Sequence, residues 1–148
     1  MLTRIEVDNK TLDINALYAW LNASKMDGAV VTFEGKVRSL EIETLSLYLE
    51  HYQGMTEKVL ANIVERARER WTLNRVVVVH RVGDILANES IVFVGVSSGH
   101  RQAAFAAAEF IMDILKNEAP FWKREKTING EYWIDAKDSD KKALMKWY

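Results

Sequence analysis

The chain has 148 residues, 49% of them apolar and 28% charged, with a net charge of −1, one proline and no cysteine. This is the composition of one globular domain over 1–148, large enough to bury a core. It excludes a disulfide scaffold, a thiolate metal site and a cysteine nucleophile, and it argues against a general nucleic-acid binder, which would carry a basic excess.

Residues 1 to 7 alternate (Leu2, Ile5, Val7) and predict a short strand. Asp13 is placed to cap a helix over roughly 14 to 23, with Ile14, Leu17, Tyr18 and Leu21 at helical spacing. The run GAVVTFEGKVRSL (28 to 40) reads as a strand interrupted at Gly35 by a bulge or a close backbone approach. Lys36 and Arg38 then share a face, with Val37 opposite. Two readings are open there: a solvated strand end, or a cradle for an anion.

LSLYLEHYQG (45 to 54) alternates as a second strand, with Leu45, Leu47, Leu49 and His51 on one face. Met55 to Trp71 forms an amphipathic helix whose apolar face holds Met55, Val59, Ile63, Val64 and Ala67. RVVVVHRVGDI (75 to 85) begins with four valines and reads as a strand buried on both faces, with His80 near its end read as structural. Asn88-Glu89 marks a turn before IVFVGV, another buried strand expected to pair with it.

The densest polar chemistry follows, in SSGHRQAAFAAAEFIMDILKNEAPFWKRE (97 to 125). A long alanine-rich helix runs over about 101 to 117. His100 and Arg101 open it, where free backbone N–H groups attract anions. The plainer alternative is that Ser98 caps the helix and the pair faces water. Lys116 lies in the last turn, a position the helix dipole also favours for structural reasons. Pro120 stops the helix. FWKREKTI (121 to 128) is then a strand with Phe121, Lys123, Glu125 and Thr127 on one face, and Asn129-Gly130 turns it into EYWID. Lys123 is therefore able to fold back toward Lys116. Two neighbouring ammonium groups disfavour double protonation, and a lysine tuned that way serves as base or nucleophile. The charged tail ends in an apolar patch, expected to dock as a short helix on the body or on a partner. The element order predicts an α+β domain with a mostly antiparallel sheet. No nucleotide-binding glycine loop, metalloprotease or nucleophile-elbow motif is present. The N-terminus has no apolar signal-peptide region and no run is long enough to span a membrane, so a cytoplasmic protein is expected.

Five blocks, GAVVTFEGKVR, LEHYQGMTEKVL, VVVVHRVGDI, IVFVGVSSGHRQAAF and FIMDILKNEAPFWKRE, together resemble the large, catalytic subunit of molybdopterin synthase from about Gly28 to Asp140. The resemblance implies an α/β-hammerhead fold with an added antiparallel β subdomain. It implies a sulfurtransferase that converts cyclic pyranopterin monophosphate to molybdopterin, in molybdenum cofactor biosynthesis. Sulfur comes from the C-terminal thiocarboxylate of a small ubiquitin-like carrier. The implied assembly is a heterotetramer of two large and two small subunits, built on a homodimer of the large one, with no nucleic acid and no membrane. No cofactor or metal is bound permanently, and the missing cysteine fits a sulfur that arrives on the partner.

Carried over by position, Lys116 and Lys123 match the two essential lysines and Arg38 the active-site arginine. Lys36 and Val37 belong to the same binding segment. His100 and Arg101 match the pair at the anionic substrate, Arg124 and Glu125 complete the binding strand, and Lys137 corresponds to a basic residue contributed across the dimer. The segment after Arg38 (SLEIETLSL) departs from the family pattern, being short and without the expected glycine or asparagine. Three other classes compete: a binding module for a phosphorylated small molecule, an interaction protein using the alanine-rich helix and apolar tail, and a nucleic-acid binder built on Trp71, Trp122 and Trp133.

Overall fold

Two four-stranded sheets organise the computed structural model, which describes residues 1–38, 44–134 and 138–148. In chain order the elements are β1 (Leu2–Asp8), α1 (Ile14–Leu21), β2 (Ala29–Lys36), β3 (Thr44–His51), α2 (Met55–Arg70), β4 (Arg75–Arg81), β5 (Gly83–Leu86), β6 (Ser90–Ser98), α3 (Arg101–Glu118), β7 (Phe121–Thr127), β8 (Gly130–Ile134) and α4 (Asp138–Leu144). A 3₁₀ turn, Met145–Trp147, ends the fold. The mixed α+β class expected from the sequence is the one observed.

The first sheet has the order β1-β4-β6-β2. The pairing β1–β4 is parallel and the other two are antiparallel. The valine run explains why this sheet is covered on both sides. Val76 and Val78 face the main core with Val94 and Val96 of β6 and with Ile63, Phe110 and Ile114 of the long helices. Val77 and Val79 point the other way, onto Leu17 and Leu21 of α1. A strand with helices on both faces has no wet side, so its apolar run is continuous rather than alternating.

The second sheet, β5-β3-β7-β8, is wholly antiparallel. It takes its first strand from a segment that reads in sequence as the end of the valine strand. The chain leaves β4 at Arg81, Val82 N–H donates to Asp8 C=O (2.8 Å), and Gly83 adopts φ +80°. That left-handed residue, which only glycine takes at little cost, turns the chain into the second sheet. The single strand expected over 75–85 is thus two strands in two sheets.

Two smaller departures have local causes. In β3 the register shifts between Thr44 and Ser46, so Leu45 turns outward and Ser46 inward, against the simple alternation. In α2 the buried face is Thr56, Leu60, Ile63, Val64 and Ala67, and Met55 is exposed. The tail docks on the body. Trp147 packs edge-on against Trp71 and Phe110, with ring centroids 5.8 and 5.4 Å apart, and its indole N–H donates to Asp113 (2.8 Å). Residues 39–43, most of the departure after Arg38, and Lys137 lie outside the described residues.

Candidate active site

Pro120 creates the site. The α3 helix ends with Ala119 in an extended conformation (φ −68°, ψ 127°), and the chain enters β7 directly. Residue 119 precedes a proline and cannot stay helical comfortably. This abrupt change of direction puts the last turn of α3, with Lys116, beside the first residues of β7, with Phe121 and Lys123. Strand alternation then turns Lys123 and Glu125 to the same side as Phe121.

The third wall comes from the end of β2. Its pairing to β6 shifts between Gly35 and Lys36. The interruption read in the sequence is thus a bulge; the close neighbour at Gly35 is a side chain and not another backbone, since a Cβ there would sit 2.7 Å from Val92 Cγ1. Beyond the bulge, Val37 N–H donates to Glu89 C=O (2.9 Å) and Val37 C=O accepts from Asn88 N–H (2.7 Å). Val37 is thereby buried, and Lys36 and Arg38 stay exposed on either side of it.

These walls enclose a cavity of about 410 Å³. Lys36, Val37, Arg38, Lys116, Lys123 and Glu125 line it, with Leu115, Val92, Phe121 and His80 as apolar or aromatic lining and Asp140 reaching it from α4. Thr44 Oγ1 donates to Glu125 Oε2 (3.1 Å), which holds that carboxylate. Four cationic side chains around an apolar base form a trap for an anion with a flat body, and low-dielectric walls strengthen the attraction.

Of the nine carried-over residues that lie among the described residues, the structure brings six into this one cavity. Arg124 faces away: strand alternation carries its guanidinium over the rings of Tyr48 (4.9 Å) and Trp133 (5.6 Å), beside Glu131. His100 and Arg101 are exposed at the opposite end of α3, roughly 22 Å from Lys116 at 1.5 Å of rise per residue. His100 is the N-cap and no side chain caps the helix. Ser98 donates instead to Thr72 C=O (2.9 Å), so it does not serve as the cap.

The sequence reads His80 as structural, and the structure adds it to the cavity lining. It is buried, and its ring stacks on Phe121 with centroids 3.9 Å apart and planes at 23°. Nδ1 lies 2.9 Å from Arg81 C=O. Burial pushes its pKa down to about 3, aided by the positive charges of Lys123 and Lys116. Its sequence signal is a polar residue ending an apolar run, on a strand that the fold places in the interior of the sheet. Among the described residues no cluster of three or more histidine or acidic side chains is able to hold a metal ion, and no helix is long and apolar enough to cross a membrane.

Fold and site define a class: an α+β protein whose cationic cavity lies at a helix–strand junction. The model of the MoaE protein family matches residues 7–118. The molybdopterin synthase catalytic subunit of Yersinia pestis is 54% identical over 147 residues, covering 98% of this chain and 97% of that protein. The solved molybdopterin biosynthesis MoaE protein of Burkholderia ambifaria superposes with a TM-score of 0.85 at 45% identity, covering 99% of this chain and 98% of that one. A chain in a solved complex of subunits 1 and 2 of the molybdopterin-converting factor from Helicobacter pylori shares the fold, with a TM-score of 0.75 at 21% identity over 88% of this chain and 90% of that one. This chain belongs to the MoaE protein family, and so to the enzymes of molybdenum cofactor biosynthesis.

Proposed function

We propose that this chain transfers sulfur from the C-terminal thiocarboxylate of a small ubiquitin-like carrier to cyclic pyranopterin monophosphate, forming the dithiolene of molybdopterin. The observation that carries this is the convergence of Lys116, Lys123, Lys36 and Arg38 on one cavity beside an apolar base. A thiocarboxylate and a phosphate are both anions, and a pterin is flat and stacks. The Helicobacter pylori complex supports a small-subunit partner, and the absence of cysteine supports a sulfur that arrives on it. No resident cofactor is required.

In each of two rounds the carbon–sulfur bond at the carrier terminus breaks and a carbon–sulfur bond forms on the pterin side chain in place of a carbon–oxygen bond. That oxygen leaves with the opened phosphate ester in one round and as water in the other. Water supplies the oxygen with which the terminus departs as a carboxylate. Arg38, with Lys36, holds anionic substrate groups through charge-assisted hydrogen bonds. Lys116, on the helix end, stabilises the oxyanion that develops at the carrier's terminal carbonyl. Lys123 transfers protons during ring opening and sulfur attack. Lys36 and Val37 shape one wall, and Glu125 orients Lys123 along the same strand face.

His100 and Arg101 lie too far from Lys116 to grip the same small molecule within one chain. A homodimer provides the route, with the pair of one copy contributing to the phosphate site of the other. Two carriers on such a dimer give the heterotetramer.

The test combines the purified chain, thiocarboxylated carrier and pyranopterin precursor, and follows dithiolene product for wild type, Lys116→Ala and Lys123→Ala. Wild type is expected to form product, and each folded variant to be slower by more than tenfold, about 1.4 kcal/mol of barrier. Variants that keep near-normal rates would remove the lysines from the chemistry. A wild type that binds carrier and forms no product would leave a binding subunit.

A further inference from the structure

The buried histidine has no part in the chemistry assigned above, yet it lines the same cavity as the groups that do. Its tautomer follows from one contact. A backbone carbonyl only accepts hydrogen bonds, so the 2.9 Å approach of His80 Nδ1 to Arg81 C=O requires the proton on Nδ1. Nε2 of the neutral ring is then a bare acceptor. The ring is clamped, stacked on Phe121 from the second sheet while its own strand is held by β1 and β6. Phe121 and Lys123 share a face of β7, so the Lys123 stem emerges beside the same aromatic pair.

We propose that His80 is a positioning residue for Lys123, its bare Nε2 accepting a hydrogen bond from the Lys123 ammonium and fixing where that ammonium meets substrate. The ammonium has three donors, so it serves His80 while keeping others for a neighbour or substrate. An uncharged acceptor suits this place. Glu125 and Asp140 already bring negative charge to the cavity, and a further carboxylate would weaken its pull on anions, whereas an imidazole directs the lysine and leaves the net charge unchanged. The imidazole also stays uncharged, because burial and the nearby Lys123, Lys116 and His51 all oppose its protonation.

This inference rests on the sulfur-transfer reading only for its kinetic arm. The first arm needs neither carrier nor precursor. Ring ¹⁵N spectra of the full chain are recorded for wild type, Lys123→Met and Lys116→Met. Wild-type His80 should show protonated Nδ1 and unprotonated Nε2. Lys123→Met should move the Nε2 resonance toward that of a free unprotonated ring nitrogen, and Lys116→Met should move it less. A proton on Nε2, or an Nε2 resonance indifferent to Lys123→Met, overturns the proposal.

The second arm measures dithiolene formation by His80→Phe, which keeps the ring stack, and His80→Gln, which restores an acceptor near the Nε2 position. The expected result is a fall in kcat of about tenfold or more for His80→Phe with KM for carrier unchanged, and substantial recovery for His80→Gln. Equal rates for the two variants would overturn positioning through Nε2. If wild type itself makes no product while the ¹⁵N shifts behave as stated, the His80–Lys123 pairing stands and the sulfur-transfer reading falls.

Discussion

Lys123 and Arg124 are adjacent in the chain and end on opposite faces of one strand, the first lining the cavity and the second lying over the half-buried ring of Tyr48 and the exposed ring of Trp133. A one-residue offset in a strand is enough to separate a site residue from a surface residue. Gly28 shows the opposite kind of constraint. A Cβ there would lie 2.3 Å from the backbone oxygen of Gly99, and Gly28 N–H donates to Ser98 C=O (3.0 Å). Backbone on both sides cannot yield as a side chain can, so Gly28→Ala should lower stability by about 2 kcal/mol or more, read as a reduced urea midpoint at unchanged slope. His80 carries a pH signature. Its folded pKa of about 3 lies below the ordinary value of 6.5, so between these values the unfolded chain binds a proton that the folded one refuses. The stability due to neutral His80 is fully present above pH 6.5 and is lost as pH falls toward 3. Between pH 7 and pH 5 this amounts to about 2 kcal/mol, at ~1.4 kcal/mol per pKa unit. His80→Phe should shrink the difference between urea melts at those two pH values by that amount.

At the scale of elements, α3 is both a wall and a spacer. Its buried Ala104, Ala107 and Ala108 let it lie close across β6 and β2, and its length fixes the separation between Arg101 and Lys116. Its C-terminal end is tied to the tail by Asn117, whose amide donates to Asp113 C=O (2.8 Å) and to Asp140 C=O (2.9 Å). Asp140 lines the cavity, so this tie also sets one rim of the site. Removing the two partly buried bonds in Asn117→Ala should loosen α4 by about 1 kcal/mol. Amide exchange over 138–148 should speed up roughly fivefold while β4 and β6 keep their protection. Unchanged exchange would mean that the Trp147 cluster alone holds the tail.

At the scale of the whole molecule, the distance along α3 makes a prediction about assembly. If His100 and Arg101 serve the cavity of a second copy, Arg101→Ala and Lys123→Ala damage different halves of a shared site. Each variant alone should be nearly inactive. Co-expressed, they should form mixed dimers in which one of the two sites has every wild-type residue. Random pairing in a two-fold dimer then restores roughly a quarter of wild-type product formation. No recovery, with mixed dimers confirmed by sedimentation and differential tagging, would show that the pair does not act across the dimer.

The elements whose causes are local were legible in the sequence. Four consecutive valines demand a strand without a wet face, Asn129-Gly130 makes a hairpin, and Pro120 ends a helix wherever it occurs. The same local logic foresaw the bulge at Gly35 and the approach of Lys123 toward Lys116, since seven residues separate them across a forced turn. Even the separation of Arg101 from Lys116 is a matter of helix length. The passage of the chain between sheets at Val82, the parallel docking of β1 on β4 and the stacking of His80 on Phe121 were decided by tertiary structure. Each depends on contacts between segments distant in the chain, which no periodicity records. An isolated histidine after an apolar run is chemically unremarkable until another sheet places an aromatic ring and a lysine beside it.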